Sequence, residues 1–220
     1  MTDVTGESGY LRATRTAYDI VAVDYERLLR DELDRKPLDR AMLAAFADVS
    51  RGPVAEVGCG PGRVTAHLRG LGVDVLGIDL SPEMVAVARR THPGLRFEVG
   101  SMTALDLADG ALGGVVAWYS TVHTPPEVLP TVFAECHRVL APGGHMLLAF
   151  KAGDQHWHRD RAYGHEVSLD VYWMPPDDVA ALMTAAGLVV DARLVREPDA
   201  TERPAQGRQA FFLAHKPEGA

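Results

Sequence analysis

The stretch Val54-Ala55-Glu56-Val57-Gly58-Cys59-Gly60-Pro61-Gly62-Arg63-Val64 constrains the fold more than any other part of the chain. An apolar, β-branched run ends at Val57, glycines follow at 58, 60 and 62, and an amphipathic helical pattern starts near Val64. That order reads as strand, tight turn, helix, the opening unit of an α/β sheet that holds a nucleotide. Glycines in such a turn let the backbone adopt unusual dihedrals and let a ligand come close. The helix behind them points free N–H groups and a positive dipole end at the same place, which favours an anionic group.

The spacing narrows the ligand. A dinucleotide turn reads G-x-G-x-x-G, whereas this one reads E-x-G-x-G-x-G, with Glu56 two residues before the first glycine. An acid there suits a ligand whose carboxylate is accompanied by an ammonium, an aminoacyl group rather than a pyrophosphate. The next apolar run, Val73-Asp74-Val75-Leu76-Gly77-Ile78-Asp79, ends in a second acid about 20 residues after the first glycine. A carboxylate at the end of strand two accepts hydrogen bonds from ribose hydroxyls, so Asp79 is the expected sugar ligand. S-adenosylmethionine contains both parts.

On these residues the chain resembles the class I S-adenosylmethionine-dependent methyltransferases of small-molecule type. Residues 54–151 carry the resemblance through Glu56-x-Gly58-x-Gly60-x-Gly62, Gly77-Ile78-Asp79-Leu80-Ser81-Pro82-Glu83-Met84 and Arg138-Val139-Leu140-Ala141-Pro142-Gly143-Gly144. The resemblance implies a doubly wound, Rossmann-like α/β fold: a mostly parallel seven-stranded sheet with an antiparallel C-terminal strand and an N-terminal helical lid. It implies S-adenosyl-L-methionine as cofactor, held by Tyr18, Glu56, Gly58, Cys59, Gly60, Gly62, Arg63, Asp79, Leu80, Met84, Ser101, Met102, Trp118 and Ser120. Ser101 stands where the family usually presents an acid to the adenine amino group, leaving the backbone at Met102 as the expected adenine contact.

Bulk properties fit one domain over residues 1–220, with a helical lid over 1–50 and the nucleotide-binding core over 51–220. Lys+Arg 22 against Asp+Glu 30 gives a net charge of −8, which argues against a nucleic-acid partner. No 18-residue apolar run and no basic-apolar leader occur, so a cytoplasmic location away from membranes is expected. The two cysteines, Cys59 and Cys136, make neither a disulfide framework nor a metal spacing, and no metal site is expected. Whether a homodimer forms by exchange of N-terminal helices stays open.

Along the chain, residues 1–9 are polar and expected to be disordered. Helical spacing from Tyr10 to about Asp34 puts Tyr18 and Tyr25 on one face. Two readings of that pair stand side by side: a packed aromatic stripe, or a lid in which Tyr18 covers the cofactor sulfonium and Tyr25 meets substrate. Ser81-Pro82-Glu83 starts a helix, with Ser81 as cap, and Leu80 and Met84 are placed to pack on adenine. Gly113–Trp118 reads as a buried central strand whose polar, aromatic end brings Tyr119, Ser120, Thr121 and His123 into the site.

Residues 152–174 carry little regular pattern and many reactive side chains, and are expected to form a substrate-covering loop. His156, His158, His165, Tyr172 and Trp173 are its substrate-binding candidates. Leu188–Val195 and Gln209–Lys216 alternate as a closing antiparallel pair, with a mobile Glu197–Gly207 between them.

Methyl transfer from a sulfonium asks for positioning, exclusion of water and, for a neutral hydroxyl or amine, removal of a proton. His123 is the first candidate base and Tyr119 the second; His123 could equally hydrogen-bond the cofactor or cap the next helix. The expected function is methyl transfer to an O or N nucleophile of a small molecule, in biosynthesis of secondary metabolites. A dinucleotide-dependent oxidoreductase and a non-catalytic binding protein are the alternatives.

Overall fold

The structure is a computed structural model that describes residues 8–199, 202 and 207–219. The expectations for residues 1–7 and for most of the 200–206 stretch lie outside the described residues. Seven strands form one sheet: β1 Val54–Val57, β2 Val75–Asp79, β3 Arg96–Val99, β4 Leu112–Trp118, β5 Leu140–Ala152, β8 Val189–Arg196 and β9 Arg208–His215. Their order is β3-β2-β1-β4-β5-β9-β8. β1 runs parallel to β2 and β4, β4 parallel to β5, and β9 antiparallel to both β5 and β8. The strand order reverses between β1 and β4, which opens a crevice at their carboxyl ends.

The sequence shows why this sheet is sandwiched. β4, buried along all seven residues, is the uninterrupted apolar run of a strand covered on both faces. In β5, Met146, Leu148 and Phe150 face a layer containing Phe133 of α5 (Leu129–Val139) and Met183 of α6 (Pro176–Ala185). Leu147 and Ala149, one residue out of phase, face Phe46 of α2 (Pro37–Val49) and Leu68 of α3 (Arg63–Gly70). α4 (Pro82–Thr91) starts as its sequence predicts, with Ser81 Oγ accepting from Met84 N at 3.1 Å and Pro82 in the first turn. α1 (Gly9–Leu29) packs on α4 through Val21, Ala22, Met84 and Val87, which lays it across the crevice. Of residues 8–50, then, α1 is the covering helix, while α2 belongs to the sheet's own packing.

The 152–174 stretch is more ordered than expected. β6 (Gln155–Ala162) and β7 (His165–Trp173) form a separate antiparallel hairpin, and Leu169 and Val171 are buried beneath it. Its turn, Tyr163-Gly164, has positive φ at both residues (54° and 91°), the backbone of a type I′ turn that usually takes Asn-Gly. The alternation Val167, Leu169, Val171, Trp173 was present in the sequence, but the tyrosine in the asparagine slot and the histidine-rich partner strand concealed the hairpin.

Phe133 is 1% exposed at the centre of the larger core cluster. Phe133→Ala is expected to cost about 3–5 kcal/mol of unfolding free energy, measured by urea denaturation.

Candidate active site

β1 ends in a backbone knot. Gly58 N and Cys59 N both donate to Ile78 O, at 2.7 and 3.0 Å, so the glycine turn is sewn to the end of β2. Gly58 (φ 72°) has no room for a side chain: a Cβ would lie 2.3 Å from Ser120 Cβ, which begins the 3-10 turn Ser120–His123 after β4. Gly60 (φ 54°) is different, because its Cβ would meet only Tyr25 Cε1, at 3.9 Å, and would stand in open cleft. The first glycine closes two strand ends together and the second keeps a ligand surface bare.

Asp79 completes that surface. Oδ2 accepts from Gly60 N at 2.7 Å and Oδ1 from Ser81 N at 2.8 Å. Burial pushes its carboxyl up to about 6 although both N–H bonds pull the other way. The cleft around it encloses about 780 Å³, part of it open to solvent. Of the residues expected from the sequence, the wall contains Tyr18, Tyr25, Gly58, Gly60, Asp79, Leu80, Ser101, Met102, Trp118, Tyr119, Ser120 and His123.

The others lie elsewhere, for separate reasons. Glu56 is 2% exposed beneath the turn and accepts a hydrogen bond from Thr65 Oγ1 of α3; it is not on the wall. Burial raises its carboxyl to about 8, with the Thr65 bond opposing. Arg63 faces away, paired with Glu32 behind α1. Cys59 packs among Val85, Ala88 and Phe97, Gly62 against Phe97, and Met84 under α1, so these three are packing residues. All five hairpin candidates are off the wall: His156 and His158 bond Asp170, His165 bonds Asp24, Tyr172 stacks on His156, and Trp173 meets Trp157.

Ser81, Gly100 and Thr124 also line the wall without having been site candidates, as do four residues of α1: Tyr10, Leu11, Thr14 and Arg15. These four share with Tyr18 the spacing of one helix face, and that stripe, followed toward the N-terminus, was the signal for them.

The two candidate bases separate by environment. Tyr119 sits in a left-handed conformation (φ 54°) at the end of β4, edge-on to Trp118 and Phe211, with Lys151 Nζ 5.5 Å from its ring centre. Burial drives its phenol well above the ordinary tyrosine value, so it keeps its proton and serves as an aromatic seat rather than a base. His123 is the better candidate. Its Nδ1 lies 2.6 Å from Asp170 O and its Nε2 2.9 Å from Tyr18 Oη. A carbonyl only accepts, so Nδ1 carries the proton and Nε2 holds the lone pair toward the cleft. Burial keeps the ring neutral by lowering its affinity for a second proton. Among the described residues there is no cluster of three metal-ligating side chains, and no helix is long and apolar enough to cross a membrane.

Comparison with known proteins agrees with this geometry. Residues 54–144 match the family model described as a methyltransferase domain. The demethylmenaquinone methyltransferase of Beutenbergia cavernae is 32% identical over 60% of this chain and 50% of its own length. The chain spans about half the length of the curated relatives it matches. Among solved structures, the DhpI-SAH complex aligns with TM-score 0.72 at 21% identity, covering 96% of this chain and 98% of that one. The Burkholderia thailandensis 1,6-didemethyltoxoflavin-N1-methyltransferase, bound to its substrate and S-adenosylhomocysteine, aligns with TM-score 0.71 at 22% identity over 95% and 89%. The chain has the fold of S-adenosylmethionine-dependent methyltransferases, and residues 54–144 are similar to their methyltransferase domain.

Glu56 yields a prediction with a definite sign. A carboxyl raised to about 8 in the fold, above its ordinary value, contributes stability that is complete at acid pH and lost as pH rises toward 8. Urea denaturation of Glu56→Gln beside the parent chain is expected to show the variant gaining in relative stability from pH 5 to pH 8.

Proposed function

We propose that the chain is an S-adenosylmethionine-dependent methyltransferase that acts on an oxygen or nitrogen of a small organic molecule. The observation that carries the reading is the pairing of Asp79 with the bare Gly60 turn on one side of a cleft whose other side presents a neutral, oriented imidazole. Two neighbours that align over nearly the whole chain, one named for an S-adenosylhomocysteine complex and one for a toxoflavin precursor, support both cofactor and acceptor class.

The residues fit the cofactor. The carboxylate of Asp79 would receive the ribose hydroxyls, and the exposed backbone at Gly60 leaves space for the aminoacyl end. Leu80, Ser101 and Met102 line the part of the wall suited to adenine. Ser101 Oγ is engaged with Thr103 Oγ1 at 2.8 Å, which leaves the base to backbone contacts. When bound, the cofactor supplies a methyl group on a sulfonium. Glu56, buried beneath the turn, braces it from below through its bond with Thr65 of α3. α1 excludes water with Tyr10, Leu11, Thr14 and Tyr18. His123 takes the proton of a neutral acceptor at Nε2 when the acceptor displaces the Tyr18 hydroxyl that bonds this nitrogen in the free chain.

Calorimetric titration with S-adenosylhomocysteine is expected to show binding, with no response to NAD. Asp79→Asn should weaken it about tenfold or more, the loss of hydrogen bonds to a charged group. Because the Asp79 carboxyl titrates at about 6 in the fold, affinity should fall as pH drops from 7 to 5. His123→Ala should keep cofactor affinity within about threefold and lose about 100-fold or more in methyl transfer across a panel of phenols, alcohols and amines. Unchanged turnover removes His123 from the mechanism, and absence of S-adenosylhomocysteine binding removes the assignment.

A further inference from the structure

None of the hairpin's own candidate side chains reaches the cleft wall, yet its backbone bonds a residue that does. The Asp170 carbonyl of β7 is the acceptor for His123 Nδ1, at 2.6 Å. A neutral histidine has two tautomers, and the bond made by one ring nitrogen decides which of them is present. Here the carbonyl takes the Nδ1 proton, and the Tyr18 hydroxyl donates to Nε2 at 2.9 Å from the opposite side. The base is thus held between α1 and the hairpin.

The hairpin is built to keep that carbonyl in place. Leu169 and Val171, on either side of Asp170, are each 4% exposed and point inward. The Asp170 side chain points outward, where Oδ1 bonds His156 Nε2 at 3.0 Å and His158 Nδ1 at 3.2 Å on the paired strand. At the tip, Tyr163 holds a left-handed backbone uncommon for an aromatic residue. Its ring meets Tyr25 edge-on, with centres 4.9 Å apart, and Tyr25 in turn meets Tyr18 at 5.9 Å. His165 Nε2 bonds Asp24 Oδ2 of α1 at 2.8 Å.

We propose that the β6–β7 hairpin is a positioning element for the base: the Asp170 carbonyl fixes His123 as the Nδ1–H tautomer, and Tyr163 and His165 latch the hairpin to α1 so that Nε2 faces the cleft. The inference rests on the reading of His123 as the base. Three charged or titratable groups face the imidazole, one from each packed element: Tyr18 of α1, Arg159 of β6 and Asp170 of β7. Burial and the Arg159 charge oppose protonation of the ring, and the Asp170 carbonyl favours it.

Nitrogen NMR of the full chain labelled with 15N-histidine tests this without an acceptor. The parent chain is expected to show one His123 tautomer, protonated at Nδ1, with a titration midpoint below that of an ordinary histidine. In Tyr163→Ala/His165→Ala, the nitrogen shifts should average between tautomers and the midpoint should rise, with S-adenosylhomocysteine affinity held within about threefold. Tyr163→Phe, which keeps the ring edge, should restore the parent signals. If the double variant does not fold, His165→Ala alone carries the same readout. An Nε2–H tautomer in the parent, or parent signals in a folded latch variant, overturns the proposal. Failure to bind S-adenosylhomocysteine beside a correct tautomer would instead sink the methyltransferase reading and leave the hairpin's role standing.

Discussion

The site depends on one carboxylate bridged by two backbone N–H groups. Asp79 ties the bare glycine of the turn after β1 to the first residue of the α4 cap, so three segments share a single hinge point at the end of β2. Neither N–H has a helical or ladder partner there, and the acid satisfies both. Asp19 of α1 then reaches the same cap, accepting from Ser81 Oγ at 2.5 Å. The covering helix is therefore registered on the very residues that form the cleft floor. The shape of the cleft floor and the placement of α1 follow from one arrangement of charge.

Burial sets the chemistry of the groups around that hinge. It raises the carboxyls of Asp79 and Glu56, holds the phenols of Tyr18 and Tyr119 protonated, and keeps His123 neutral. The tyrosines are thereby donors and packing surfaces, and among the described residues of the cleft wall the imidazole offers a neutral lone pair, whereas the Asp79 carboxylate is engaged by two N–H groups. The same logic explains why charged residues away from the cleft come in sets. Arg196 is forked onto Glu202 at 2.7 and 3.0 Å, and Lys36 meets Asp199 and Glu202 at 2.7 and 2.8 Å. Those contacts fasten the end of β8 to the start of α2, and their value lies in fixing one arrangement more than in net stability.

Two elements added to the sheet cover the cleft at its strand ends. α1 crosses the strand ends, and the β6–β7 hairpin grips α1 while holding His123 by a main-chain carbonyl. The sheet and its glycine turn serve many chemistries, so the specific work of this chain resides in what these two elements bring to the cleft.

The sequence by itself determined the sheet, the turn and the acid at the end of β2, because each rests on a local pattern: continuous apolar runs for buried strands, glycines where backbone must be bare, and an acid at a strand end. It also brought Tyr18 and His123 into view through spacing on a helix and position after β4. Only the tertiary structure decided which polar residues face the cleft. Glu56, Arg63 and Met84 sit within motifs and still turn away, since each found a partner on another element: Thr65 of α3, Glu32 just after α1, and Val21 of α1. The hairpin and its hold on His123 were decided in the same way, because a hydrogen bond between residue 123 and a carbonyl at 170 depends on how two remote segments pack and leaves no periodic trace in the chain.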